Sequence, residues 1–182
     1  PDEVRAGEAA DDAEELARRE PAGHRCSGAG RERGVEPVDI DDDLLVRVHT
    51  PEYVEFLSTV WDRWAARGRT APAAMGFTWP ARGMFATRPD DLVGQLGYHS
   101  FSADSSIVAG TWGAARAAAA IATTAADLVM DEGGPTYGLC RPPGHHATAD
   151  QFGGYCFLNN AAIAAQRLRD RGCSRVGILD VD

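Results

Sequence analysis

Two short apolar runs near the carboxyl end, at 136–140 and 175–181, flank a helical stretch from Phe157 to Asp170 that Gly172 closes. That pattern constrains the fold more than anything else in the chain. Thr136–Cys140 and Arg175–Val181 read as buried strands, and a strand, helix and strand in this order close as a right-handed crossover with the strands parallel. The loops after Cys140 and Val181 then leave the same carboxyl edge of the sheet, where open α/β sheets place their ligands. The expected class is α/β with a central parallel sheet.

Both loops carry reactive side chains. His145 and His146 follow Pro142-Pro143-Gly144, a stiff turn whose glycine lets the backbone approach a ligand. One imidazole can face a water as general base while the other protonates or polarises. An isolated His-His pair is more often structural, and its place at the sheet edge favours chemistry. Asp180 and Asp182, two residues apart on a strand, share one face ~6–7 Å apart. Buried carboxylates need a cation or strong donors, so the pattern suggests a metal for Asp182 and a histidine or second cation for Asp180. The alternative is that Asp182 merely caps a strand end. A catalytic zinc takes three protein ligands, and the other histidines are poorly placed: His24 in the polar head, His49 in a structural hydrogen bond, and His99 in the irregular segment, where it could reach the cleft but reads first as an exposed loop residue. Gly153, Gly154 and Tyr155 could contact a substrate amide and wall a slot, or make a tight turn beside a core aromatic. Asn159 and Asn160 are expected to cap the following helix.

Before this unit the chain is less even. Residues 1–43 hold 14 acidic residues and 6 Arg, so most of the overall charge of −9 sits in the head. This head is expected to be mostly irregular, with a short helix over Asp11–Arg19 that has little apolar surface to anchor it. Leu44–Val48 reads as a strand. Thr50 and Pro51 are the N-cap and first turn of a helix to about Ala66, with Val54, Leu57, Val60, Trp61 and Trp64 as its apolar stripe. Thr70–Ser106 is long and irregular, which in a compact domain is usually functional. Thr111–Met130 is an Ala-rich helix. The near-neutral remainder argues against a nucleic-acid surface, and no apolar run is long enough for a membrane span. All 18 basic residues are Arg, which excludes a Schiff-base lysine within this chain. Four cysteines without metal-binding spacing suit a reducing cytoplasm. Pro1 and Asp182 read as cut ends.

The segments Cys140-Arg-Pro-Pro-Gly-His-His-Ala147, Phe152-Gly-Gly-Tyr-Cys-Phe-Leu-Asn-Asn-Ala161 and Ile178-Leu-Asp-Val-Asp182 resemble the zinc-dependent histone deacetylase superfamily, and within it the bacterial acetylpolyamine amidohydrolases. Trp79–Met84, Gly94–Tyr98, Gly110–Ala115 and Tyr53–Trp64 resemble that subgroup too. The resemblance covers about residues 44–182, read as the N-terminal part of the amidohydrolase domain. It implies an arginase/deacetylase-like three-layer fold, incomplete here, and hydrolysis of an acetyl amide by a zinc-activated water. By position, His145 and His146 would be the tandem general base and acid. Asp180 would orient His145 and help bind potassium, Asp182 would be a zinc ligand, and Gly154 and Tyr155 would line the acyl channel. The expected substrate is a small acetylated amine, with protein acetyl-lysine or a non-catalytic product as alternatives; the expected assembly is a homodimer. The subgroup's acidic insertion positions fall on Val93 and Asp104, which weakens the implied polyamine preference.

Overall fold

A computed structural model describes residues 33–68, 71–79 and 87–182. The helix expected at Asp11–Arg19, His24, and part of the aromatic segment around 80–86 lie outside these residues. By contacts the chain divides into two units, Pro1–Glu36 and Pro37–Asp182.

Among the described residues, five helices order the second unit: α1 (Asp42–Leu45), α2 (Pro51–Ala66), α3 (Leu92–Tyr98), α4 (Thr111–Glu132) and α5 (Asn160–Asp170). The first is a correction, since Leu44–Val48 was expected to be a strand. Asp41 caps this turn by accepting from the Asp43 N–H. The chain then bends so that the His49 N–H reaches the Leu45 carbonyl. A local cap and turn thus satisfy backbone groups that a strand would leave to a neighbour. Just before α1, residues 33–41 form neither helix nor strand. Ile40 is buried, and Arg116 of α4 reaches Asp39, Asp42 and the Ile40 carbonyl.

α2 starts as its sequence predicts. The Thr50 side chain accepts from the Tyr53 N–H, and Pro51 occupies the first turn. Its buried face is wider than the expected stripe, adding Tyr53 and Phe56 to Val54, Leu57, Val60 and Trp64. Trp61 is only partly buried, and Trp64 lies in the core. α3 falls inside the stretch expected to be irregular, capped by Asp91 on the Val93 N–H.

The Ala-rich α4 runs two residues past the expected Met130 and stops at Gly133, whose φ of 72° is one that side-chain-bearing residues seldom adopt. Ala115, Ala119 and Ala120 join the core. α4 packs beside α5, and charge ties the outer ends together: Arg167 grips Asp127 with both its Nε and Nη2, at 2.8 and 3.1 Å, while Arg171 reaches Asp127 and Asp131. α5 begins three residues later than the expected Phe157. Asn159 stops it there by accepting from the Ala162 N–H, which leaves Phe157 and Leu158 free to turn into the core.

The two expected strands are not paired. Thr136–Cys140 and Arg175–Val181 carry no ladder, and the described residues form only isolated bridges, Ala74 with Ile107, Ser100 with Phe152 and Gly153 with Cys156. Nor are they buried: Leu139 is 69% exposed, Leu179 88% and Val181 89%. Apolar β-prone sequence favours a strand only where a second strand supplies hydrogen bonds and a facing layer covers the side chains. Neither is present around these segments among the described residues. No described helix is long and apolar enough to cross a membrane.

Candidate active site

The loop from Arg141 to Asn159 is held on three sides. At its back, His49 is buried and bonds both ways: its Nδ1 lies 2.8 Å from the Thr148 carbonyl, and its Nε2 accepts from the Asn159 N–H at 3.0 Å. The structural role expected of His49 is thus observed. The Tyr53 hydroxyl donates to the Phe157 carbonyl at 2.7 Å, and burial pushes the Tyr53 pKa well up. Below, Phe152 stacks between Phe56 and Phe157. In front, Gly144 sits so close to α5 that a Cβ would fall 2.5 Å from the Asn160 nitrogen, and the Asn160 amide donates to the Pro142 carbonyl. Cys156 is fully buried, whereas Cys140, at the end of the segment read as a buried strand, is only partly so.

His99 departs from expectation. It is not an exposed loop residue but is 1% exposed, at the C-terminal cap of α3. Its ring lies 4.5 Å from that of Phe56, and its Nδ1 is 2.8 Å from the Asp150 carbonyl. Desolvation is the first cause lowering the pKa of both His49 and His99. Both are therefore neutral framework residues behind the loop.

On this frame stand the reactive groups. The His145 Nδ1 lies 2.9 Å from Asp180 Oδ2, so an N–H there donates to the carboxylate and Nε2 is left to accept. The His145 and His146 rings meet edge to face, 4.2 Å between centroids. Gly154, at φ 56°, packs under His146 so tightly that a Cβ would lie 2.3 Å from the ring's Cδ2. Tyr155 follows at φ 64° and is 64% exposed, not a core aromatic. Asp182 faces His145 Nε2 at 3.4 Å. Its backbone N–H, ahead of the His145 contact, holds the Asp180 carboxyl below its usual range. A cavity of about 250 Å³ lies beside the dyad, bounded by His145, Asn159, Ala161, Ala162 and residues 178–180.

A histidine with an acceptor on Nδ1 can take a proton from water on Nε2 or give one to a leaving group, and here that nitrogen also has Asp182 Oδ2 beside it. Metal chemistry is a different matter. Among the described residues no group of three or more His, Cys, Asp or Glu side chains is arranged so that it could hold a metal ion. Asp182 offers a single carboxylate against the three protein ligands of a catalytic zinc, so these residues alone do not fit that ion.

Sequence reasoning missed the support of the Gly154–Tyr155 turn. Ser102, Asp104 and Ser105, from the irregular stretch, bond its two backbone N–H groups. The signal was Ser-Ala-Asp-Ser itself, short polar side chains that favour backbone partners. Nothing local shows that these partners lie about 50 residues away.

The fold, the paired histidines and the motifs that carry them define the class: the chain belongs to the histone deacetylase family, whose domain matches residues 12–182. Two curated relatives are similar over 85% of this chain. They are acetylpolyamine amidohydrolase 2 of Pseudomonas aeruginosa, 46% identical, and the acetylpolyamine amidohydrolase of Mycoplana ramosa, 45% identical. The crystal structure of an acetylpolyamine aminohydrolase from Burkholderia pseudomallei superposes on 74% of the chain, with a TM-score of 0.66 at 39% identity, covering 39% of that protein. The chain spans less than half the length of the two curated relatives, 42% and 45%.

Proposed function

We propose that the whole protein hydrolyses acetyl amides of small amines, acetylpolyamines or related compounds, to acetate and the free amine. The observation that carries this reading is the 2.9 Å contact of His145 Nδ1 with Asp180, beside His146 and the Gly154–Tyr155 turn. In it, Asp180 fixes the His145 tautomer so that Nε2 can accept the proton of the attacking water. The two imidazoles act as tandem base and acid, and the leaving amine takes a proton as the C–N bond breaks. Gly154 and Tyr155 line the acyl channel.

Asp182 is assigned as one ligand of a zinc ion whose further ligands the described residues do not supply, and Asp180 as a potassium contact. Residues 44–182 would be the N-terminal part of the amidohydrolase domain, completed in the whole protein by a parallel sheet. A cytoplasmic homodimer acting on neither nucleic acid nor membrane is the matching setting. The names of the relatives support the substrate class, as does a site built around a tight glycine turn.

The test is acetate release by the whole protein from acetylputrescine and from an acetyl-lysine peptide, each with and without a chelator. Chelator-sensitive turnover favouring acetylputrescine is expected. Preference for the peptide would move the assignment to protein deacetylation, and no turnover of either would overturn it.

A further inference from the structure

The Gly154–Tyr155 turn is unusual in having two successive left-handed residues, one of them with a side chain. Such a backbone is disfavoured for Tyr155 and persists where its surroundings impose it. The surroundings are the 99–105 segment. Main-chain bonds join Phe101 to Phe152 and Phe152 to His99. Gly153 lies against the Phe101 ring, where a Cβ would come within 2.6 Å. Then the side chains take over. The Gly154 N–H is shared between Ser102 Oγ at 3.2 Å and Asp104 Oδ1 at 3.0 Å. The Tyr155 N–H donates to Ser105 Oγ at 2.7 Å, and that hydroxyl donates onward to the same Asp104 oxygen at 2.9 Å. Ser102 Oγ also donates to it.

Three donors therefore meet on one carboxylate oxygen, and between them they fix both N–H groups of the turn. The other face of Gly154 carries the His146 ring. We propose that Asp104 is a positioning residue: through Oδ1 it holds the Gly154–Tyr155 turn in its left-handed form and so sets where His146 and the channel wall stand. The inference rests on the site assignment made above. It gives Asp104 a role distinct from attracting a cationic substrate, because the named contacts are internal and all fall on Oδ1. Ser102, the leading cause, together with Ser105 and the Gly154 N–H holds its carboxyl below the usual range, which suits a charge engaged in such bonds.

Because the contacts share Oδ1, Asp104→Asn keeps an oxygen acceptor where Asp104→Ala removes it. In amide hydrogen exchange on this chain, Asp104→Ala should speed exchange of the Gly154 and Tyr155 N–H groups by about tenfold or more, with the circular-dichroism melt little changed. Asp104→Asn should restore most of the protection. Unchanged exchange in the alanine variant would overturn the proposal, and this arm needs no catalysis. In the whole protein, a misplaced site can cost about 10²-fold in rate. The alanine variant should lose that much in kcat on charged and neutral acetyl substrates alike, with Asn rescuing it. If Asn falls as far as Ala, and only on a cationic substrate through KM, Asp104 acts by charge and the positioning role is wrong. A whole protein without deacetylase activity, but with the expected exchange pattern, would remove the site assignment and leave the brace itself standing.

Discussion

His145 hangs from a loop tied into the core by His49, Tyr53 and Asn160, whereas Asp180, its partner, lies in a segment with neither helix nor ladder whose residues Leu179 and Val181 face solvent. One half of the dyad is held by many buried contacts; the other reaches it mainly through the dyad, beside a cavity against α5. Rigidity here follows from satisfied backbone groups and buried rings, and both are concentrated on the histidine side. The comparison teaches that pairs of residues meeting at a site need not be equally determined by their surroundings.

The largest expected effect asks whether the anchored side carries the chemistry. His146→Ala in the whole protein should lower turnover by about 10²–10⁴-fold, while melting is nearly unchanged because the side chain is exposed. Turnover within a factor of two of the parent would break the assignment. Next comes the anchor itself. Phe56→Ala removes a buried ring that touches both His99 and Phe152 and should cost about 3–5 kcal/mol in denaturant titration. A loss below 1 kcal/mol would mean that the loop is not held as described.

A smaller effect is set by pH. His49 and His99 have folded pKa values below the ordinary 6.5. Above 6.5 both folded and unfolded states keep these rings neutral. As pH falls below it, the unfolded chain takes up protons that the folded chain resists, so stability declines and levels off below the folded values. Thermal melts between pH 7.5 and 5 should show this decline, and a flat profile would deny the burial of the two rings. Least of all should come Leu179→Ser, within about 0.5 kcal/mol. A cost above 1 kcal/mol would show that the segment is covered, and the contrast between the two halves would fail.

Local signals were legible in the sequence: Thr50 with Pro51 at the start of α2, Asn159 as the cap of α5, and a group of histidines and aspartates that the structure brings close together. Each rests on a residue's own conformational preference or on a short motif. What was missed depends on remote partners. His99 looked like a loop residue because burial comes from Tyr53, Phe56 and Tyr98 closing around it. Leu44–Val48 has strand composition, yet Asp41 one turn earlier decides for helix. The apolar runs at 136–140 and 175–181 show the reverse: β character is in the residues, but pairing belongs to two segments together.

The exposed Tyr137, Leu139, Ile178, Leu179 and Val181 also bear on how this chain behaves at the bench. Environment-sensitive dyes report unfolding by binding apolar surface that a native protein hides. Here the folded chain offers such surface from the start, so a dye-based melt would begin bright and rise little. Fluorescence of that kind would give a well-folded preparation the look of a molten one, whereas ellipticity and amide exchange would not.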